Sequence, residues 1–166
     1  MQIRKATADD ATGMGAVLAA VLAEWGSDRP RDAAHVQAHY VAHPASVLCS
    51  VAVDEGRVCG FQSLKRAWPG NPCDVMPGWG IIGTYMAPAA RGRGLGRSLF
   101  AATETAARRA GLPAIYATIG ASNASGLGYY EKLGFETYRD FEGAICKRYA
   151  LDPVTSRAGS RADHPR

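Results

Sequence analysis

A glycine-rich segment between a predicted strand and a predicted helix constrains the fold of this 166-residue chain more than any other feature. It consists of Arg91, Gly92, Arg93, Gly94, Leu95, Gly96 and Arg97. Apolar residues before it, ending at Met86, indicate a strand, and apolar side chains at helical spacing from Ser98 to Gly111 indicate a helix. A strand, a glycine turn and a helix leave backbone N–H groups free at the helix N-terminus. Together with the arginines, these groups predict a site for an anion such as a phosphate.

The order of the glycines narrows the choice of anion. A dinucleotide-binding loop needs a glycine where Arg97 stands, and a nucleoside-triphosphate loop needs a Gly-Lys-Ser/Thr sequence that does not follow here. The pattern Arg-x-x-Gly-x-Gly, which begins at Arg91, resembles the acyl-CoA pyrophosphate loop of the GCN5-related N-acetyltransferase (GNAT) family. A plain strand-to-helix turn without a ligand is the alternative.

A second segment lies beyond the next predicted strand, Ala114 to Ile119. It opens with Asn123, a residue type that caps helices, and it closes near Gly134, a residue type that ends them. The sequence Tyr-Glu-Lys-Leu-Gly-Phe, which begins at Tyr130, is similar to the second GNAT signature. The signature has Ala or Ser three residues after the asparagine, where this chain has glycine. Because both motifs occur in the family's order, the chain resembles GNAT proteins from about Ile3 to Leu151.

The resemblance implies a mixed α/β fold, in which a twisted, mostly antiparallel sheet is flanked by helices. It also implies a cleft where the strand ending at Met86 splays from the strand starting near Ala114. The remaining predicted strands span Gln2 to Lys5, Val47 to Val53, Val58 to Leu64, Glu136 to Phe141 and Ala144 to Leu151. Two further helices are predicted. One runs from a cap at Asp9 or Asp10 to Ala23, and the other runs from Pro30 to His43. We expect one domain over residues 1–151 and a disordered tail over residues 152–166, which carry almost no large apolar side chains.

The charge balance suits an anionic cofactor. The chain has 19 basic and 15 acidic residues and a formal net charge of +4, which is too diffuse for a nucleic-acid binder. We therefore expect no nucleic-acid partner. With no signal peptide and no long apolar segment, we expect no membrane partner either. The four cysteines lack C-x-x-C spacing and are expected to be reduced thiols of a cytoplasmic protein.

The resemblance implies a reaction and a role for several residues. An acetyl group passes from acetyl-CoA directly to a primary amine of a small molecule, such as an amino acid or an analogue. Backbone at Tyr85 or Met86 stabilises charge on the thioester carbonyl, and neighbouring backbone and the glycine-rich segment bind the rest of the cofactor. Tyr130 protonates the departing thiolate, whose thiol has a pKa of about 8.5, and Asn123 binds the cofactor or an ordered water. The simpler interpretations are a packed aromatic for Tyr130 and a helix cap for Asn123.

The base that deprotonates the amine is harder to identify. No carboxylate lies in the strand from Trp79 to Met86, where many GNAT relatives place a glutamate. Glu24, at the end of the first predicted helix, is the candidate, and a solvated helix-end charge is its alternative. His35, His39 and His43 form one helical stripe that could supply a base or an exposed polar face. No nearby carboxylate or cysteine completes a metal site with them, so we expect no metal.

The acceptor pocket is predicted to be lined by Trp25, Trp68, Trp79, Thr84 and the loop from Trp68 to Gly78. The sequence leading into Asn123 is similar to the GNAT branch that acetylates phosphinothricin and methionine sulfoximine, although that branch usually has His where Tyr130 stands. Three alternatives stay open: an acyl-CoA-binding sensor or scaffold without turnover, an acetyltransferase of protein amines, and a nucleotide-binding module that uses the glycine-rich segment. The oligomeric state, including a homodimer, also stays open.

Overall fold

The computed structural model describes residues 1–151, which form a seven-stranded sheet with helices on both faces. Its strands are β1 (Gln2–Lys5), β2 (Ser46–Asp54), β3 (Arg57–Arg66), β4 (Gly80–Met86), β5 (Ala114–Gly120), β6 (Glu136–Phe141) and β7 (Ala144–Ala150). They lie in the order β1-β2-β3-β4-β5-β7-β6, and every neighbouring pair is antiparallel except β4 and β5. The predicted mixed, mostly antiparallel fold is confirmed. The predicted tail, residues 152–166, lies outside the described residues.

The helices surround this sheet. They are α1 (Ala11–Trp25), α2 (Ala33–Val36), α3 (Leu95–Arg109) and α4 (Ala124–Leu133). Short 3-10 turns cover Ala8–Asp10 and Pro88–Ala90, and a π-helical turn, Gln37–Val41, follows α2 directly. None of the helices between residues 1 and 151 has the length and apolar character needed to span a membrane.

The two largest hydrophobic clusters lie on opposite faces of the sheet, because successive side chains of a strand alternate between its faces. On one face, Phe61 of β3 packs with Leu18 of α1. On the other face, Leu64 of β3 packs with Phe100 of α3 and Tyr130 of α4. All five side chains are at most 6% exposed. The two faces of β3 and β4 therefore belong to two different environments, and both environments border the site described below.

The first turn of α3 corrects the sequence prediction. The helix begins at Leu95 and ends at Arg109, whereas the sequence predicts Ser98 to Gly111. Gly94 takes a left-handed backbone conformation (φ of +76°) that ends the preceding loop and caps the helix. Leu95 is 4% exposed and packs in the same cluster as Leu99. Burial of this leucine fixes the helix start within the glycine-rich segment itself.

The predicted helix from Pro30 to His43 is also wrong in extent. The side chain of Asp32 accepts a hydrogen bond from the backbone N–H of His35 (2.9 Å), so the helix begins after Asp32. Four residues later it widens into the π-helical turn. It stops before His43, whose backbone is biased away from the helical region because Pro44 follows it.

A cleft opens between β4 and β5, as predicted. The two parallel strands are paired only from Gly80 with Ile115 to Ile82 with Ala117. Beyond Ile82, β4 stays paired with β3 as far as Met86, while β5 stays paired with β7 as far as Gly120. One backbone edge of each strand is therefore unpaired along the cleft, and its N–H and C=O groups can bind an extended ligand.

Candidate active site

The cleft is part of a cavity of about 1380 Å³. This volume exceeds the roughly 300–1,000 Å³ of a usual small-molecule pocket, as expected of a site for two substrates. The cavity is bordered on one side by the start of α3 and by α4, and on the other by the end of α1 and the π-helical turn. The predicted site residues that line it are Glu24, Tyr85, Met86, Arg91, Gly92, Gly94, Leu95, Gly96, Arg97, Asn123 and Tyr130.

Arg93 is the exception among the predicted site residues. Its side chain forms an ion pair with Asp54 at the end of β2, with Nη2 2.8 Å from Oδ2, and it does not line the cavity. The Arg93 guanidinium lowers the pKa of that carboxyl. The side chain therefore ties the glycine-rich segment to the β2–β3 hairpin, and of Arg93 only the backbone belongs to the loop that faces the cleft.

The glycine-rich segment has the backbone geometry of an anion site. Gly92 and Gly94 both have φ of +76°, with open space where a side chain would begin. They lead into the N-terminus of α3, where the first N–H groups have no partner within the helix. Arg91 and Arg97 line the same part of the cavity. Free N–H groups, a helix dipole and two guanidinium groups together favour a phosphate or pyrophosphate.

Gly96 is a glycine for a different reason, which is close packing. A Cβ atom at this position would lie 2.6 Å from Cε2 of Tyr129. The Tyr129 hydroxyl donates a hydrogen bond to the carbonyl oxygen of Gly96 at 2.7 Å. The aromatic ring and the first turn of α3 thus fix each other across the cleft.

A buried glutamine, which the sequence analysis missed, joins β4, α3 and α4 through its side chain. Gln62 of β3 is fully buried and donates to the Thr84 hydroxyl at 2.9 Å and to the Tyr129 hydroxyl at 3.0 Å. Its side-chain oxygen accepts a hydrogen bond from the hydroxyl of Thr103. The sequence contains a signal for this role, because Gln62 lies two residues before the core residue Leu64 on the same strand face. A polar side chain buried on such a face needs a hydrogen-bond partner.

The hydroxyl of Tyr130 lies beside this hydrogen-bonded group. Its oxygen is 2.8 Å from the Thr84 hydroxyl, and its ring packs on Phe135 with ring centroids 5.0 Å apart. Because Thr84 accepts from Gln62, it can donate its own proton to Tyr130 and leave the phenolic proton free to point elsewhere. Burial raises the pKa of Tyr130, so the phenol keeps its proton in the neutral range. A neutral phenol in this position can donate a hydrogen bond into the cleft.

Asn123 caps α4 as predicted. Its side-chain oxygen accepts a hydrogen bond from the Gly126 backbone at 2.9 Å. A Cβ atom at Gly126, where the signature has Ala or Ser, would lie 2.6 Å from the Asn123 amide nitrogen, so in this chain the Asn123 side chain packs directly on the backbone of Gly126. The amide oxygen of Asn123 is thus bound in the cap, and the residue also lines the cavity.

Glu24 is ion-paired in this structure. Its carboxylate lies 2.9 Å and 3.2 Å from Nη1 of Arg91, and Arg91 also donates to the carbonyl oxygen of Met86 at 3.3 Å. Both side chains are more than a third exposed. The Arg91 guanidinium therefore competes with any amine for the negative charge of this carboxylate.

The opposite side of the cavity is aromatic. The Tyr40 hydroxyl donates to the Tyr85 hydroxyl at 3.3 Å, and Trp25 lies over Tyr85 with ring centroids 6.2 Å apart. Trp68 also lines the cavity and packs on His43. Trp79 does not line it, because its ring packs on the other end of the sheet.

The three histidines form a stacked row rather than a metal centre. The His35 and His39 rings stack at 4.9 Å, and His39 lies edge-on to His43 at 6.1 Å. The His39 side chain is exposed on one side, but partial desolvation against its neighbours, with a contribution from the nearby Lys65 charge, lowers its pKa to about 4, so this imidazole is neutral at physiological pH. Across residues 1–151, no group of three or more His, Cys, Asp or Glu side chains is placed to hold a metal ion.

Comparison with known proteins agrees with this geometry. The chain matches the acetyltransferase (GNAT) family over residues 14–135. It is 26% identical to yncA, a protein from Salmonella typhimurium assigned as an acetyltransferase and solved with its cofactor acetyl-CoA (TM-score 0.73, 98% of both chains covered). It is also 26% identical to a GNAT family acetyltransferase from Brucella melitensis in complex with acetyl-CoA (TM-score 0.68, 92% of this chain and 88% of that chain).

A protein assigned as a phosphinothricin N-acetyltransferase is more distant. It is 21% identical, with a TM-score of 0.72 and coverage of 90% of this chain and 98% of that chain, and at this identity it supports the fold alone. A search of curated protein sequences gives no significant match. Because the family match covers more than half of its length, this chain belongs to the GNAT acetyltransferase family.

Proposed function

We propose that this GNAT acetyltransferase transfers an acetyl group from acetyl-CoA to the primary amine of a small molecule by direct attack. One observation carries the proposal: where β4 leaves β5, the glycine-rich segment and the Tyr130 hydroxyl face the same cleft. The acetyl-CoA in the structures of yncA and of the Brucella melitensis enzyme supports the choice of cosubstrate.

In this proposal the cofactor is bound by backbone more than by side chains. The loop N–H groups from Gly92 to Gly96, together with Arg91 and Arg97, hold the pyrophosphate. The unpaired edge of β4 at Tyr85 and Met86 binds the pantetheine amides, as a neighbouring strand would. Asn123 contributes from the start of α4.

The transfer itself uses few side chains. The amine nitrogen attacks the thioester carbonyl carbon, and a backbone N–H of β4 stabilises the negative charge on the carbonyl oxygen. The C–S bond then breaks, and the thiolate of CoA takes the phenolic proton of Tyr130. The nitrogen of the new amide loses one proton to the base or to water, and the Tyr130 phenolate takes up one proton from water to complete the cycle. Thr84 acts as a positioning residue, because a hydrogen bond from its hydroxyl to the Tyr130 oxygen directs that proton toward the cleft and stabilises the phenolate that is left.

Glu24 stays the predicted base, but its ion pair supports a second role. By holding Arg91 between α1 and the carbonyl oxygen of Met86, it keeps a guanidinium at the mouth of the pyrophosphate site. His39 is a second candidate for the base, because it is neutral and lines the cavity. The two roles of Glu24 predict different effects of Glu24→Gln on acetyl-CoA affinity and on the pH profile of kcat/KM.

The test is an acceptor screen with release of free thiol from acetyl-CoA as the readout. The screen contains amino acids, simple alkylamines and peptides with free N-termini, with the Tyr130→Phe variant as the control for enzyme-dependent release. Acetylation of small amines supports the proposal. Acetylation of peptides alone would replace it with a protein acetyltransferase, and tight acetyl-CoA binding without release under any condition would replace it with a sensor or scaffold. The single domain over residues 1–151 and the cytoplasmic location stay predictions.

A further inference from the structure

One buried lysine in the acceptor side of the cavity has no counter-charge. Lys65, near the end of β3, is 7% exposed and lines the cavity. In the part of the chain that the structure describes, its ammonium group forms no hydrogen bond and no ion pair. Its contact is with the face of the Tyr40 ring, 5.3 Å from the ring centroid. Lysine is almost never buried to this degree without a partner, because the charge loses its hydration.

The surroundings of Lys65 provide no anion for it. Arg29 and His39 line the same region and add positive or neutral groups. Among the lining residues that the structure describes, Glu24 is the single carboxylate, and it is held by Arg91. Burial lowers the pKa of Lys65, as expected for an ammonium that lacks a partner. Among the described lining residues, this half of the cavity is therefore electropositive and holds one cation without a counter-charge.

We infer that the acceptor carries a carboxylate as well as its amine, and that Lys65 binds this carboxylate. The inference rests on the proposed function and names its substrate class: amino acids and other amines with a free carboxylate. A polyamine or a simple alkylammonium would bring positive charge toward Lys65 and Arg29 with nothing to pair with them. Ser63 lines the same wall two residues earlier on the same strand face, so its hydroxyl can donate a second hydrogen bond to the carboxylate.

The test compares acceptors that differ only in the carboxylate. Leucine, leucinamide and 3-methylbutylamine form one matched set, and phenylalanine, phenylalaninamide and phenethylamine form another. Values of kcat/KM are corrected for the fraction of neutral amine, because the three amines of each set have different pKa values. The wild-type enzyme should prefer the amino acid by about tenfold or more, the size of one charge-assisted hydrogen bond.

The variant Lys65→Met removes the charge and keeps an unbranched side chain that is one atom shorter. It should fold, because replacing an unpaired buried charge with an apolar side chain relieves desolvation. It should lose about tenfold or more in kcat/KM for amino acids, through KM, and should treat amides as the wild type does. Lys65→Arg should keep part of the preference. Lys5→Met, which removes an exposed lysine of β1, is the matched control and should change nothing.

Two results would overturn the inference: an unchanged preference in Lys65→Met, or a wild-type preference for the amides or alkylamines. A binding measurement separates this failure from failure of the proposed function. Calorimetry with 4-methylpentanoate, which is leucine without its amine, needs no turnover. Binding by the wild type in the presence of CoA and its loss in Lys65→Met would support the inference even if no acceptor released thiol. Equal binding by both proteins, or binding by neither, would contradict it.

Discussion

The two halves of the cleft are built in opposite ways. On the α3 and α4 side, the polar groups of Gln62, Thr84 and Tyr129 are joined in one chain of hydrogen bonds that reaches Tyr130 and the backbone of Gly96. On the α1 side, the ammonium group of Lys65 lies over the Tyr40 ring, and the described lining residues offer it no free anion. The first half is complete before any ligand arrives. The second half has a cation whose counter-charge a ligand can supply.

This difference matches the tasks of the two halves. A cofactor that is the same in every turnover favours a preorganised site, because groups already fixed lose no further entropy on binding. An acceptor must be distinguished from other amines, and a buried unpaired group rejects molecules that cannot pair with it. We therefore expect substitutions in the first half to change catalysis with every acceptor, and substitutions in the second half to change the choice of acceptor.

The largest effect is expected for Tyr130→Phe. It removes one hydroxyl with little loss of packing and should lower kcat by about 10²–10³-fold, with little change in the KM for acetyl-CoA. Steady-state kinetics with a good acceptor and a thermal melt measure the two consequences. The neighbour Tyr129→Phe is the control, since its hydroxyl is bound to the Gly96 carbonyl and its loss should act on cofactor binding and stability. If the two variants behaved alike, or if only the KM for acetyl-CoA changed in Tyr130→Phe, the proton-donor role would be wrong.

Gly94→Asp should give the next largest effect. A carboxylate at the N-terminus of α3 repels the pyrophosphate and should weaken acetyl-CoA binding by about tenfold or more in calorimetry. Gly56→Asp is the matched control, because Gly56 has nearly the same backbone conformation (φ of +75° against +76°) and open space around it, but lies in the β2–β3 turn. Equal affinity in both variants would remove the glycine-rich segment from the cofactor site.

Thr84→Val tests whether the hydrogen-bonded half acts as a unit. The variant keeps the shape of the side chain but removes the hydroxyl between Gln62 and Tyr130. We expect kcat to fall by up to about tenfold with every acceptor, the net contribution of one hydrogen bond, while Thr84→Ser retains most activity. An effect confined to particular acceptors would place Thr84 in the acceptor half instead.

The smallest effect is expected for Glu24→Gln. If Glu24 mainly holds Arg91, its loss should change acetyl-CoA affinity by no more than about fivefold, since exposed ion pairs contribute little, and the pH profile of kcat/KM should not move. If Glu24 is the base, the rising alkaline limb should shift and acceptor turnover should fall at constant cofactor affinity. The pH–rate profiles of wild type and variant decide between the two roles.

How well the sequence predicted the site depended on how far apart its contacts lie along the chain. The glycine-rich segment and the cap of α4 at Asn123 depend on neighbours within a few residues, so their geometry can be derived from local backbone rules. The ion pair between Glu24 and Arg91 joins residues 67 positions apart. The hydrogen bond between Gln62 and Tyr129 spans the same separation. Spacing along the sequence holds no information about such pairs until the sheet order is known.

Lys65 illustrates the same limit. In the sequence Lys65 directly follows a predicted strand, and a lysine at the end of a strand is expected to be exposed to solvent. Lys65 is buried because Tyr40, in the π-helical turn, packs over it. The sequence predicted a regular α-helix at the position of this turn. The strand positions of β2 and β3 were predicted to within two residues, so the error lay in the element that packs on the sheet and not in the sheet itself.

The short parallel seam between β4 and β5 has a consequence for how the protein comes apart. Within residues 1–151, three residue pairs connect the ladder of β1 to β4 with the ladder of β5 to β7. Thermal opening should begin at the end of this seam, where each lost pair exposes amide hydrogens to exchange. In the proposed site a cofactor contacts both sides of the gap, so it would act as a removable cross-link. Saturation with CoA should then raise the free energy of unfolding. It should slow amide hydrogen exchange most in the parts of β4 and β5 that lie beyond their three paired residues.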